Sequence, residues 1–195
     1  GLKKRLAYST VSQVSYILFG LLLLNPAGMT GAFLHVIFHA VIKSGLFLCA
    51  GAIIFRTGKT RVDELRGIGK EMPVTIGCMT LLSLALIGIP PASGFVSKWY
   101  LAVGSLSSET GFYSWLGPVV LLLSALLTAG YLLPITMKGF FPGEEESRKG
   151  FVRKEADSVM LVPILLLAVL AVVLGMFPGG LISLISNIAQ QLFQM

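Results

Sequence analysis

His35-Val36-Ile37-Phe38-His39-Ala40-Val41-Ile42-Lys43 lies inside an apolar run over residues 30–55. Its three ionisable side chains recur at i, i+4 and i+8. On a helix that spacing keeps them on one face, spread over about 12 Å of axis. The run is long enough to cross a bilayer, for which ~20 residues suffice. A lysine at the centre of such a span costs about 2.5–3.5 kcal/mol on insertion scales. A lipid-facing helix does not tolerate such a stripe and a soluble core helix has no need of it. The stripe therefore reads as a proton or ion path through a membrane interior.

Composition agrees. Of 195 residues, 55% are hydrophobic and 12% charged, with mean hydropathy +0.85. Soluble domains carry about 25% charged residues. The expected class is all-α integral membrane protein, one transmembrane domain over residues 1–195. Five apolar stretches are long enough to span: residues 6–24, 30–55, 73–105, 113–141 and 159–177. The basic residues fall in alternate connectors. Lys3, Lys4 and Arg5 precede the first stretch. Arg56, Lys59, Arg61, Arg66 and Lys70 follow the second, and Lys138, Arg148, Lys149, Arg153 and Lys154 follow the fourth. The opposite connectors, residues 25–29 and 106–112, carry none. By the positive-inside rule the N-terminal end is expected in the cytoplasm and the C-terminus outside, in the cytoplasmic (inner) membrane. The same regularity argues against nucleic acid as a partner. Of 15 Lys and Arg, 13 belong to these flanks; Lys43 and Lys98 remain, both inside spans. Cys49 and Cys78 read as small buried hydrophobes. Gly1 leads straight into a basic cluster, and the chain is expected to be the C-terminal part of a longer subunit.

The first span is polar for a membrane helix. Ser9, Ser12, Gln13 and Tyr16 share one face, either gluing helices together or lining a hydrated path. Asn25-Pro26-Ala27-Gly28 reads as a tight turn. The charged connector over residues 56–71 reads as solvated, with Asp63, Glu64 and Glu71 available to its basic residues or to another subunit. The third stretch is too long: 33 continuous helical residues would run about 50 Å against a hydrocarbon core of ~30 Å. It carries its own interruption, Gly88-Ile89-Pro90-Pro91-Ala92-Ser93-Gly94, with Gly88, Pro90, Pro91 and Gly94 as hinge residues. Broken membrane helices are allowed only where freed backbone faces protein or water, and in transporters they mark the ion path. Lys98 follows by four residues beside Ser97. It is either part of that path or a lysine snorkelling to the interface beside Trp99 and Tyr100. The fourth span holds Ser124, Thr128, Tyr131 and a kinking Pro134, and Lys138 reads as its snorkelling anchor. The fifth looks like a lipid-facing support. Residues 181–194 pattern as an uncharged amphipathic helix, suited to the outer interface.

These motifs resemble one family. They are Leu2-Lys3-Lys4-Arg5-Leu6-Ala7-Tyr8-Ser9 with Ser12-Gln13; His35, His39-Ala40 and Lys43 with Leu46-Phe47-Leu48; and Gly88 to Gly94 followed by Phe95, Ser97 and Lys98. Together they resemble the antiporter-like membrane subunits of respiratory complex I (NADH–quinone oxidoreductase), of membrane-bound hydrogenases and of Mrp-type Na⁺/H⁺ antiporters. The resemblance implies helices ten to fourteen of a fourteen-helix core, most of one of two inverted repeats, with the broken twelfth helix at residues 88–94. It implies that Lys43 is the central lysine, His35 and His39 its companions, and Lys98 the gate of an outward half-channel. Lysine at position 98 disfavours the complex I subunit with Glu there. If Met195 is a true end, subunits with long C-terminal extensions are also disfavoured. The smaller of the large Mrp antiporter subunits, a complex I subunit with a Lys gate, or a hydrogenase equivalent remain.

The function expected is proton translocation through His35, His39, Lys43 and Lys98, with Ser9, Ser12, Gln13 and Ser97 lining the path. Partners would be other membrane subunits, lipid, protons and, in an exchanger, Na⁺. No flavin, nicotinamide, iron–sulfur or haem signature is present, so any redox chemistry would belong to partners. No cofactor or metal is expected in this chain, since two His at i, i+4 lack a third ligand. Two alternatives stay open: an ion-pumping subunit of a hydrogenase, and a structural membrane subunit without transport of its own.

Overall fold

The computed structural model describes residues 1–108, 111–143 and 152–194. Among these the regular structure is helical throughout. The helices are α1 (Leu2–Leu22), α2 (Pro26–Thr57), α3 (Ile68–Glu71), α4 (Pro73–Ile87), α5 (Ser93–Leu106), α6 (Leu116–Phe140), α7 (Ser158–Met176) and α8 (Gly179–Gln194). Short 3₁₀ turns lie at Val62–Leu65 and Gly111–Trp115. α2, α6 and α7 are each long and apolar enough to cross a membrane. α4 and α5, with 15 and 14 residues, reach only about 20 Å each. They follow one another across residues 88–92.

The turn expected at residues 25–28 lies earlier. α1 is capped at Leu23, and Leu24 takes a left-handed φ of 49°. Asn25 then caps α2: its side-chain oxygen accepts from the Gly28 N–H at 2.8 Å, and its amide donates to the Gly104 carbonyl at 2.7 Å. Pro26 is well placed in the first turn, because the N–H it lacks would have no helical partner there. Gly58 closes α2 with φ 71°.

α2 is the central element, packed by α1, α4, α5, α7 and α8. Small residues let the backbones approach. A Cβ on Gly104 of α5 would lie 2.6 Å from the Gly28 Cα of α2, so the two helices cross at backbone contact. α7 is mostly exposed, as a lipid-facing helix would be, yet it also supports the interruption. Ala168 and Ala171 are buried, and a Cβ on Gly175 would run into Pro91 and Ala92. α8 is a helix as its pattern indicated. Ile185 packs with Leu34 and Phe38 of α2, while Leu184, Ile188 and Leu192 stay exposed.

The basic connectors gather at one end. Leu2 N–H donates to the Thr60 carbonyl, Gly67 N–H to Lys138, and Lys154 N–H to Glu71. Arg56 pairs with Asp157, and Lys59 with Glu71, both at 3.4 Å. Lys138, expected to snorkel, instead pairs with Asp63. The reason is packing: the 3₁₀ turn at Val62–Leu65 lies against α6 and brings the carboxylate to the ammonium. The hydrogen bond and charge of Lys138 hold the exposed Asp63 carboxyl below its usual range. That help is complete above the ordinary carboxylate range and is lost as pH falls through the lowered folded value. Glu64 is likewise held down by the backbone N–H groups of Arg61 and Thr60.

Glu155 ties residues 152–157 to the start of α4. It accepts from Val74 N–H at 2.8 Å and Thr75 hydroxyl at 2.5 Å, serving a helix N-terminus from a distant segment. Glu155→Ala is expected to cost about 1 kcal/mol and to release this segment, seen as faster proteolysis within residues 152–157. Gly88 caps α4 with φ 95°, and a Cβ there would lie 2.9 Å from the Lys98 side chain. Gly88→Ala should therefore cost about 1–2 kcal/mol from the left-handed backbone alone, read as a lower melting temperature in detergent.

Candidate functional site

The site grows from the end of α4. A helix leaves its last four carbonyls without helical partners, and this end carries partial negative charge. Here the Leu84 carbonyl accepts from the N–H groups of Gly88 and Ile89, both at 3.1 Å. The Leu86 and Ile87 carbonyls accept from the Lys98 ammonium, at 2.8 and 2.6 Å. Lys98 comes from the second turn of α5, which begins where the interruption ends. It is 9% exposed. Snorkelling is thus set aside for this lysine: its ammonium turns inward onto the broken helix. Gly94 sets the approach, since a Cβ there would collide with the Ala85 carbonyl.

α2 supplies the other ionisable groups. Lys43 is buried, and its ammonium donates to the Leu6 carbonyl at 2.6 Å and to the Ser9 hydroxyl. It also lies 5.8 Å from the Phe47 ring centroid. One turn back, His39 stacks on His35 with centroids 6.0 Å apart and planes within 7°. His39 Nε2 is buried without a hydrogen-bond partner among the described residues. His35 is nearly sealed, with Nε2 3.2 Å from Gln13 Oε1 and Nδ1 2.9 Å from Ser97 Oγ.

Ser97 makes this last contact informative. Its hydroxyl also donates to the Gly94 carbonyl at 3.2 Å. With Nε2–H donating to Gln13, a neutral His35 accepts the Ser97 proton at Nδ1. A protonated His35 donates from Nδ1, and the Ser97 hydroxyl turns to Gly94. One serine proton can therefore serve either state of the ring without leaving a hydrogen bond unmade.

Most of the expected residues come together. Lys43, His39 and His35 form a row on α2; Ser9 and Gln13 of α1 and Ser97 of α5 bond to it. Gly88, Pro90, Pro91 and Gly94 all lie in or beside the interruption. Lys98 is joined to His35 through Tyr16: the Tyr16 ring centroid is 5.2 Å from the Lys98 ammonium and 5.3 Å from the His35 ring. Ser12 is different. It is only half-buried and turns toward α6. The carbonyls of Leu6, Leu86 and Ile87 carry no sequence signal, because every residue owns a carbonyl. Tyr16 is visible as a member of the polar face, with nothing in the pattern to mark its ring contacts.

Every acidic residue of the sequence lies outside the helices of this row. Both lysines are held by neutral oxygens, and among the described residues no carboxylate pairs with either. Among the described residues no three His, Cys, Asp or Glu side chains gather as a metal-binding set. Cys49 and Cys78 are buried free thiols.

Residues 1–128 match the family model "NADH:quinone oxidoreductase/Mrp antiporter, TM". The chain is 42% identical over 191 residues to NADH-quinone oxidoreductase subunit N of Desulforudis audaxviator, covering 92% of this chain and 37% of that protein. It spans little more than a third of the length of that curated relative. Its fold is similar to a chain of the Mrp complex from Dietzia sp. DQ12-45-1b (TM-score 0.83, 25% identity, 96% of this chain and 42% of that one). It is also similar to a chain of respiratory complex I from Thermus thermophilus (TM-score 0.78, 26% identity, 95% and 38%). The matched residues include the His35–Lys43 row, the interruption and Lys98, and this all-α membrane chain belongs to the NADH:quinone oxidoreductase/Mrp antiporter transmembrane family.

Proposed function

We propose that this chain carries one segment of a proton path within a larger membrane subunit of a multisubunit complex. The observation that supports this best is the row Lys43–His39–His35–Lys98, with both lysines and His35 buried, His39 half-buried and no carboxylate paired to it among the described residues, closed by Ser9, Gln13, Ser97 and Tyr16. α1 rises from the basic end, so Ser9 sits about 12 Å in and Tyr16 about 10 Å further. The row therefore descends from Lys43 near the basic end to Lys98 at the interruption. With the basic end cytoplasmic, protons enter toward Lys43, pass the histidines and reach Lys98 before leaving outward. α1, α2, α4 with α5, α6 and α7 are then the five membrane crossings, the third one broken.

Proton exchange along the row needs charge to be mobile. At ~10–15 Å and an effective dielectric of 20, two charges interact by about 1–2 kcal/mol. That biases a transfer between the lysines without driving it, so the histidines and Ser97 supply the intervening steps. The proposed partners are other membrane subunits, and energy from redox chemistry would come from them.

Cation/proton exchange is the second reading, favoured by the fold shared with the Mrp complex chain. The two readings use the same row and differ in driving force. In proteoliposomes of the purified assembly, proton movement under an imposed Na⁺ gradient supports exchange, while dependence on NADH and quinone supports the respiratory reading.

Lys43→Ala and Lys98→Ala in the full-length subunit should each remove most proton transport while leaving assembly intact, measured by dye quenching in vesicles. Near-normal transport by both contradicts the path. Ser97→Ala removes the hydroxyl that both states of His35 use, as a donor to the neutral ring and as an acceptor from the protonated one. It is expected to slow transport about a hundredfold, the lower end of a general acid–base contribution, whereas Ser97→Thr should retain most of it.

A further inference from the structure

The two buried lysines are seated alike. An ammonium has three N–H groups to place. Lys98 gives two of them to the Leu86 and Ile87 carbonyls and stands over the Tyr16 ring, 5.2 Å from its centroid. Lys43 gives two to the Leu6 carbonyl and the Ser9 hydroxyl and stands over the Phe47 ring, 5.8 Å from its centroid. Both distances are inside the ~6 Å reach of a cation–π contact. Each lysine thus has two neutral oxygens and one aromatic face.

We propose that Tyr16 is a positioning residue for Lys98: its ring is the third acceptor of the ammonium, in the place a carboxylate would otherwise take. The inference rests on the proton-path reading and assigns this ring a part in it. A π face attracts the ammonium and has little for the neutral amine. It carries no net charge, so it holds the cation in place without trapping the proton as an ion pair would. The same ring lies 5.3 Å from the ring of His35, so it stands beside both ends of the transfer between them. Phe47 has the equivalent place at Lys43.

Packing alone does not account for a tyrosine here. The side chain is 5% exposed and fills a small apolar cluster with Leu101 and Leu121, a place that leucine would fill. Buried tyrosines usually give their hydroxyl a partner. This hydroxyl is buried without one among the described residues, although Ser124 and Thr128 of α6 come near it. Burying an unpaired hydroxyl is a cost, so the position is explained by the ring. Leucine fills the space and lacks the π face; phenylalanine keeps the face and drops the orphaned hydroxyl. Of the two lysines Lys98 depends on its ring more, since Tyr16 is sealed and Phe47 is 37% exposed, and a cation–π contact strengthens when water is excluded.

The full assembly tests this with changes that keep the shape of the side chain. Tyr16→Phe should transport protons at near the normal rate. Tyr16→Leu should be slower by roughly ten- to thirtyfold, the worth of a desolvated cation–π contact expressed as a rate. Phenylalanine analogues carrying one, two and three ring fluorines, placed at position 16 by nonsense suppression, withdraw charge from the ring face at almost constant size. Transport should fall stepwise along that series, and the ¹⁵Nζ signal of Lys98 should move stepwise with it. A role in packing alone predicts a flat series in both, and that result overturns the proposal, as does a Tyr16→Leu variant that matches Tyr16→Phe. A signal that steps while transport stays flat shows a contact without a part in transport and also overturns it. Lys98→Ala tests the path itself: near-normal transport there sinks the proton path, while the ¹⁵Nζ series still reports the contact.

Discussion

A hydrocarbon core offers no water to a backbone carbonyl, so a helix that stops inside it must find donors elsewhere. The rest of the site depends on how this chain meets that demand at the end of α4. The Leu84 carbonyl takes two backbone N–H groups, and the Leu86 and Ile87 carbonyls take the Lys98 ammonium. The lysine needs oxygens to keep a charge in the membrane, and the interrupted helix needs donors. Each removes the other's cost. The pairing is also loose in a useful sense, because carbonyls, unlike a carboxylate, carry no net charge to trap the proton.

The remaining architecture positions this pair against a second one. α2 carries Lys43 and the histidines along one face, and α1 answers with Leu6, Ser9, Gln13 and Tyr16 on a matching face. α5 delivers Ser97 and Lys98 together because they are adjacent and the interruption sets where α5 begins. Glycine contacts between α2 and α5, and Gly175 of α7 against Pro91 and Ala92, hold the irregular segment between rigid helices. A site built this way is precise because its loops are few. It is also dependent, since displacing the interruption moves Lys98 and Ser97 at once.

Much of this is legible in the sequence for a simple reason: helix periodicity is fixed, so His35, His39 and Lys43 have to share a face. The same holds for Ser9 and Gln13. The prolines and glycines after Ile87 announce the interruption, and the alternation of basic connectors announces that they meet at one end. What stays hidden are relations between distant segments. Nothing near Lys138 points to Asp63, 75 residues away. The free carbonyls under Lys98 exist only once α4 has stopped. The amphipathic pattern of α8 shows an apolar face, but only α2 decides that Ile185 is buried and Leu184 is not. Tyr16 reads as one more polar residue, while its role comes from a ring placed between two groups on other helices.

The central claim is that Lys98, seated on carbonyls of a broken helix, exchanges its proton with the Lys43 row. Solid-state NMR of the reconstituted assembly, with ¹⁵N at the lysine Nζ, tests this most directly because ammonium and amine nitrogens resonate apart. The Lys98 signal is expected to move between ammonium and amine across the working pH range, and Lys43→Met is expected to shift the pH at which it does so. A Lys98 signal that stays ammonium throughout, indifferent to Lys43, would make the lysine a structural cap for α4 and contradict the proton exchange.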